Sequence, residues 1–176
     1  MKKRAVLVGT NTYNGLANPL SAPTTEVGFW KDILERNYGF ATGNIITLPE
    51  KKATHEAVLG AIERQLRGLE PGDIFLFFGA GHGRIVHAHE QFAQYKYEEA
   101  LMVWPAAGDK TLISAELTDS DLTEVFRRAA PPLGSKIAVM IDACFSGRLN
   151  IPLPPDAKPL TLPPVEDFSR ASGALV

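Results

Sequence analysis

Two residues stand where chemistry is possible. His82 lies in Gly79-Ala80-Gly81-His82-Gly83, directly after the apolar run Ile74-Phe75-Leu76-Phe77-Phe78. Cys144, the single cysteine, lies in Asp142-Ala143-Cys144-Phe145-Ser146-Gly147, after Ile137-Ala138-Val139-Met140-Ile141. A thiol acts as a nucleophile through its thiolate, and a nearby imidazole supplies thiolate character or serves as general base. Brought into one cleft, the pair would perform acyl transfer. Negative charge then develops on the attacked carbonyl oxygen, and the backbone N–H groups of Gly83 and Cys144 are suitable donors for it. Gly79, Gly81 and Gly83 permit positive φ and close backbone approach, which suggests a loop that exposes the imidazole. Taken singly, each residue has a plainer reading: a small buried hydrophobe for Cys144, a loop-structural histidine for His82.

The surrounding pattern supplies the elements that would hold them. Apolar runs alternate with helix-period segments, as in a parallel sheet with helices on both faces. Strands are expected at Ala5–Gly9, Asn44–Leu48, Ile74–Phe78 and Ile137–Ile141, with a short apolar segment at Ala100–Trp104. A first helix, capped by Thr24 or Thr25, runs to about Asn37 with Val27, Trp30, Ile33 and Leu34 on one face. A second opens at Ala53-Thr54 and carries Val58, Ile62, Leu66 and Leu69 at helical spacing; a third spans Leu117–Ala129, capped near Thr118 or Ser120. In an open parallel sheet the site lies at the carboxyl ends of the strands, where His82 and Cys144 both fall. If their strands are neighbours, the strand ends are about 4.8 Å apart.

The 176 residues suffice for one α/β domain with a real core. A net charge of −2 leaves no electrostatic footprint for nucleic acid or an anionic membrane. The apolar runs are too short to span a bilayer, and the basic start Met1-Lys2-Lys3-Arg4 leads into a strand rather than a signal peptide. One cysteine excludes a disulfide within the chain and fits a reducing cytoplasm. Three regions follow: a catalytic domain over 1–150, a linker over 151–170, and the start of another strand over 171–176. Six prolines between positions 151 and 164 argue for an extended linker. A chain stopping on the first residues of a strand would leave a sheet edge unfilled.

Together, Gly81-His82-Gly83 and Asp142-Ala143-Cys144-Phe145-Ser146-Gly147, 62 residues apart from His82 to Cys144, resemble the catalytic motifs of metacaspases and related bacterial caspase-like peptidases of family C14. The order of elements agrees from Arg4 to about Val176. The resemblance implies a caspase-like three-layer α/β/α sandwich with a mostly parallel sheet, in its large-subunit portion and lacking the small-subunit strands. It implies a cysteine endopeptidase acting through a thioester, with protein or peptide substrates and a C-terminal small-subunit segment or chain completing the fold.

Within the resemblance, Asp142 matches the aspartate that lines a pocket for arginine or lysine, the alternative being a structural hydrogen bond to the loop. A carboxylate there would be a charge-assisted acceptor for a guanidinium. Pro19-Leu20-Ser21-Ala22-Pro23-Thr24-Thr25-Glu26 is similar to the paracaspase segment supplying a second acid, which points to Glu26 where the family has aspartate. Glu26 would either make that pocket shallower or simply favour the helix N-terminus. Arg148, Lys158 and Arg170 are candidate self-cleavage sites.

No cofactor is expected. Many metacaspases hold calcium with acidic residues after the histidine strand; this chain has Glu98 and Glu99, but at the expected acidic pair it reads Ile113-Ser114-Ala115-Glu116, so hard oxygen ligands are missing. His87, His89 and Glu90 near His82 do not complete a zinc tetrahedron and read as surface loop residues. Tyr95, Tyr97 and Trp104 read as packing residues. Two rival readings remain. One is a catalytically silent caspase-like regulatory or interaction module. The other is a flavodoxin-like small-molecule binder, for which Gly9-Thr10-Asn11-Thr12 would have to cradle a phosphate without a glycine-rich fingerprint.

Overall fold

The computed structural model describes residues 1–87 and 97–144, with the backbone alone at Cys144. Four parallel strands form the body of the sheet: β1 (Lys3–Gly9), β2 (Ile45–Pro49), β3 (Ile74–His87) and β6 (Lys136–Cys144). Their spatial order is β2-β1-β3-β6, so β3 lies between β1 and β6. From Gly83 onward, β3 pairs antiparallel with β4 (Tyr97–Met102), which pairs antiparallel with β5 (Glu116–Thr118).

Strand alternation divides the apolar residues into two cores. Ala5, Leu7, Phe78 and Ala80 face α1 (Pro23–Tyr38), where Val27 and Leu34 close one core. Val6, Val8, Phe75 and Phe77 face α2 (His55–Arg67) and α3 (Asp119–Ala129), where Val58, Ile62, Leu66 and Val125 close the other. One layer of helix on one face and two helices on the other make the expected α/β/α sandwich.

Three local expectations need correction. Thr24 and Thr25 do not cap α1: Ala22 is the N-cap without a side-chain bond, and Pro23 begins the helix. Proline lacks the N–H a cap would satisfy, which removes much of the need for one. Thr54 and Thr118 do cap α2 and α3, the latter in a capping box with Asp121. The second correction is larger: β3 does not stop at Phe78 but runs for 14 residues, carrying Gly79–Gly83 as strand. None of Gly79, Gly81 and Gly83 has positive φ. Gly81 instead allows close approach, because a Cβ there would lie 2.6 Å from the Tyr13 hydroxyl and 3.1 Å from the Met102 carbonyl oxygen. Likewise β6 continues past Ile141 through Cys144.

Candidate functional site

Parallel pairing of β3 and β6 sets the site. Their register opposes Ala80 to Asp142 and His82 to Cys144, so the two motif residues are backbone neighbours where the parallel pairing of β3 with β6 ends. Asp142 and His82 line one cavity of about 220 Å³ together with Gly81, Ala143, Glu26 and the Leu20–Pro23 segment. Glu26 reaches it from the first turn of α1. Gly9 makes that placement possible: a Cβ on it would meet the Pro23 carbonyl oxygen at 2.5 Å, so the end of β1 touches the start of α1.

The cavity carries two acids. Burial raises the Glu26 carboxyl above its ordinary pKa, and the negative charge of Asp142 adds to the effect. Two carboxylates lining one cavity repel each other, which is the sense of that second contribution. The sequence left Glu26 open between a pocket residue and a helix-dipole residue; it is in the first turn of α1 and also lines the cavity.

His82 is held from the turn after β1. Its Nε2 lies 2.7 Å from the carbonyl oxygen of Asn18, which can only accept, so Nε2 carries the proton and donates. In the neutral ring this leaves the Nδ1 lone pair free to accept a proton. The His82 backbone N–H donates to the Tyr13 hydroxyl at 2.6 Å, and the two rings pack 5.1 Å apart at 34°. Tyr13 is buried. Neither Tyr13 nor Asn18 was among the expected site residues. Asn18 acts through its main-chain carbonyl and so leaves no side-chain signal; for Tyr13, an aromatic residue before Asn14-Gly15, a turn dipeptide, was the available clue.

The other candidates separate from this cavity. Gly83 lies on β3 opposite Leu101 of β4. His87 is exposed at the end of β3 and packs its ring on Tyr97 at 5.0 Å. Trp104 forms a bridge with Thr54 and donates its backbone N–H to the Ala53 carbonyl. His89, Glu90, Tyr95, Arg148, Lys158, Arg170, the proline-rich linker and residues 171–176 lie outside the described residues.

At residues 113–116, where the family resemblance implies calcium ligands, the polar side chains have other partners. Ile113 is exposed and apolar, the Ser114 hydroxyl donates to Asp109, and Glu116 pairs with Arg84 at 3.0 Å. Among the described residues no three acidic, histidine or cysteine side chains converge as a metal ligand set. The segment after β1 is no phosphate cradle either. Asn11 N–H, Thr12 N–H and the Thr12 hydroxyl all donate to the Glu50 carboxylate, so the donors a phosphate would use already serve an internal anion. No helix among the described residues is long and apolar enough to cross a membrane.

Comparison with known proteins agrees with this architecture. A family profile described as the metacaspase, peptidase C14 domain matches residues 3–153. Metacaspase-1 of Meyerozyma guilliermondii is 26% identical over 158 residues, covering 86% of this chain and 37% of that protein. Metacaspase-1 of Plasmodium berghei is 33% identical over 159 residues, covering 85% of this chain and 26% of its own length. The chain therefore spans little more than a third of these relatives at most. A solved Geobacter sulfurreducens protein superposes with a TM-score of 0.65 at 25% identity, covering 85% of this chain and 53% of that one. With the profile running through both strand-end motifs, this chain belongs to the metacaspase family of C14 peptidases.

Proposed function

We propose that the chain is the catalytic, large-subunit portion of a cysteine endopeptidase that cleaves peptide bonds after arginine or lysine. The observation that carries this reading is the pairing of Glu26 and Asp142 in the one cavity onto which His82 opens. A cationic side chain seated there would neutralise two carboxylates and place its own carbonyl beside the β3–β6 strand ends. Cys144 follows Asp142 by two positions, the spacing at which strand residues share a face.

The chemistry is then a sequence of balanced steps. The Cys144 thiol passes its proton to Nδ1 of His82, and the sulfur attacks the scissile carbonyl carbon to form a C–S bond. Gly83 and Cys144 N–H groups hold the oxyanion. Collapse breaks the C–N bond, and His82 returns its proton to the leaving amine. Water, deprotonated by His82, attacks the thioester; the C–S bond breaks, and the acid product leaves with the thiol restored. The Asn18 carbonyl supports this cycle by keeping Nε2 protonated and so aiming Nδ1 at the reaction.

Two further parts belong to the same reading. The outer edge of β6 has no strand partner among the described residues, and Ile137 and Val139 on it are 39% and 45% exposed. A small-subunit segment, beginning near 171–176 or supplied as a separate chain, would cover it. Arg148, Lys158 and Arg170 satisfy the same basic specificity and would be the self-processing sites. A reducing cytoplasm suits an enzyme whose one cysteine must stay a thiol.

The test is cleavage of fluorogenic peptides ending in Arg, Lys or Asp, with mass spectrometry of the protein before and after incubation. Cleavage after Arg or Lys that disappears in Cys144→Ala and His82→Ala supports the proposal. Activity surviving in Cys144→Ala, or a preference for Asp, sinks it. Absence of cleavage with all three, and no labelling of Cys144 by an arginine-based electrophile, would favour the silent regulatory module.

A further inference from the structure

The turn between β1 and α1 holds His82 at two points, and proton transfer by the imidazole accounts for only one of them. The Asn18 carbonyl fixes the imidazole at Nε2. Tyr13 holds the backbone of the same residue: its hydroxyl accepts the His82 N–H at 2.6 Å, and its ring lies against the imidazole. We propose that Tyr13 is a positioning residue for His82, setting the orientation of the imidazole that the Asn18 carbonyl then completes. The inference rests on the reading of His82 as the proton-transfer group.

Several independent features converge on this contact. Tyr13 is completely buried, so its phenol does not compete with solvent for a partner. Its backbone, with that of Asn14 and Gly15, occupies the left-handed region at φ of 47°, 53° and 77°. Two of those three residues carry a Cβ, and such a conformation persists only when the surroundings over-determine it. The surroundings do so here: Glu50 gathers the backbone N–H groups of Asn11 and Thr12, and Leu20 N–H closes back on the Asn11 carbonyl. Position 81 completes the arrangement, since any side chain there would collide with the Tyr13 hydroxyl. Burial also raises the Tyr13 pKa well above the ordinary phenol value, so it remains a neutral hydroxyl throughout the working pH range.

Removing the hydroxyl should therefore loosen His82 without touching the acidic cavity. In Tyr13→Phe, kcat for an arginine peptide is expected to fall up to about a hundredfold, the scale of loss that follows ångström-scale misplacement of a reacting group, while KM stays close to wild type. Nitrogen-15 NMR of the His82 ring should report protonated Nε2 in the wild type and a mixture of tautomers in Tyr13→Phe. A merely structural role would lower thermal stability and leave both the tautomer signal and the kcat of the folded fraction unchanged; that result overturns the proposal. In the wild type the His82 amide should be slow to exchange with solvent, and free exchange would overturn the proposal even if Tyr13→Phe failed to fold. Gly81→Ala supplies a second variant: its added methyl needs the space of the hydroxyl, so Gly81→Ala/Tyr13→Phe should be more stable than Gly81→Ala alone. The tautomer and exchange measurements need no turnover, so an inactive wild type would defeat the peptidase reading and still leave the role of Tyr13 decided.

Discussion

Glu26 on α1 and Asp142 on β6 come from opposite ends of the described chain and line the same cavity, where the charge of Asp142 helps to raise the Glu26 carboxyl. The first prediction follows from this pair. As pH falls through the raised Glu26 pKa, Glu26 takes up a proton while the cavity loses half of its acidic pair, so KM for arginine peptides should rise on the acid side. Glu26→Gln should raise KM at neutral pH and abolish that acid-side dependence. Asp142→Asn should raise KM about tenfold to a hundredfold, the range for losing one charge-assisted hydrogen bond. Steady-state kinetics from acid to neutral pH read both, and a KM indifferent to Glu26→Gln would remove Glu26 from the pocket.

The same shift makes a stability prediction with a definite sign. A carboxyl whose folded pKa lies above its unfolded value costs the folded state nothing while both states are protonated; the destabilisation grows as pH rises from the unfolded value to the folded one and is fully present above it. Glu26→Gln should accordingly raise the melting temperature slightly at neutral pH and leave it unchanged in acid. Thermal scans at the two pH values provide the check. An equal gain at both would mean that packing, not charge, changed.

Gly9 is predicted to be irreplaceable for a geometric reason. The Pro23 carbonyl would sit 2.5 Å from an added Cβ and is backbone, so it cannot swing aside. Gly9→Ala should cost about 1–3 kcal/mol, the range for overpacking, and should push the start of α1 away from β1. Since Glu26 rides on that first turn, KM should rise as well. By contrast, Thr118→Ala removes the α3 cap at a cost of about 1 kcal/mol and should leave KM alone, because α3 packs on the other core. Denaturant unfolding and kinetics on the two variants separate the effects.

How far the sequence reached is visible in β3. Its first five residues are uniformly apolar and read correctly as a strand, as did β1 and the Val58, Ile62 and Leu66 face of α2. Residues 79–87 contain three glycines, two histidines and an arginine, a composition that reads as loop. They extend because β4 and β6 supply backbone partners from distant parts of the chain, a tertiary cause that no local pattern records. The site divides the same way. The motifs of His82 and Cys144 stand out because each comes directly after an apolar run, and the register between β3 and β6 bears out the expectation that those runs are neighbouring strands. Asn18 was invisible because its contribution is a carbonyl oxygen that every residue possesses.

Calcium should not alter the reaction. At 113–116 the Ser114 hydroxyl and the Glu116 carboxylate are committed to Asp109 and Arg84, and binding an ion would have to break both contacts. Cleavage rates in excess chelator and in added calcium are expected to match. A rate that rises with calcium would mean ligands are recruited from outside the described residues.

The edge of β6 gives the last prediction. Ile137 and Val139 are exposed on a parallel strand that pairs on one side only among the described residues, an arrangement that invites association. If a small-subunit segment covers this edge, β6 amides should be protected from hydrogen exchange in protein that carries the segment and should exchange faster once it is removed. Val139→Lys should then weaken the segment's hold and lower activity, because the β6 backbone runs directly to Cys144 at the site. The 176-residue chain alone should tolerate the same substitution with little change in melting temperature, since that side chain is already half exposed. Equal exchange of β6 amides with and without the segment would show that the sheet is finished by β6 itself.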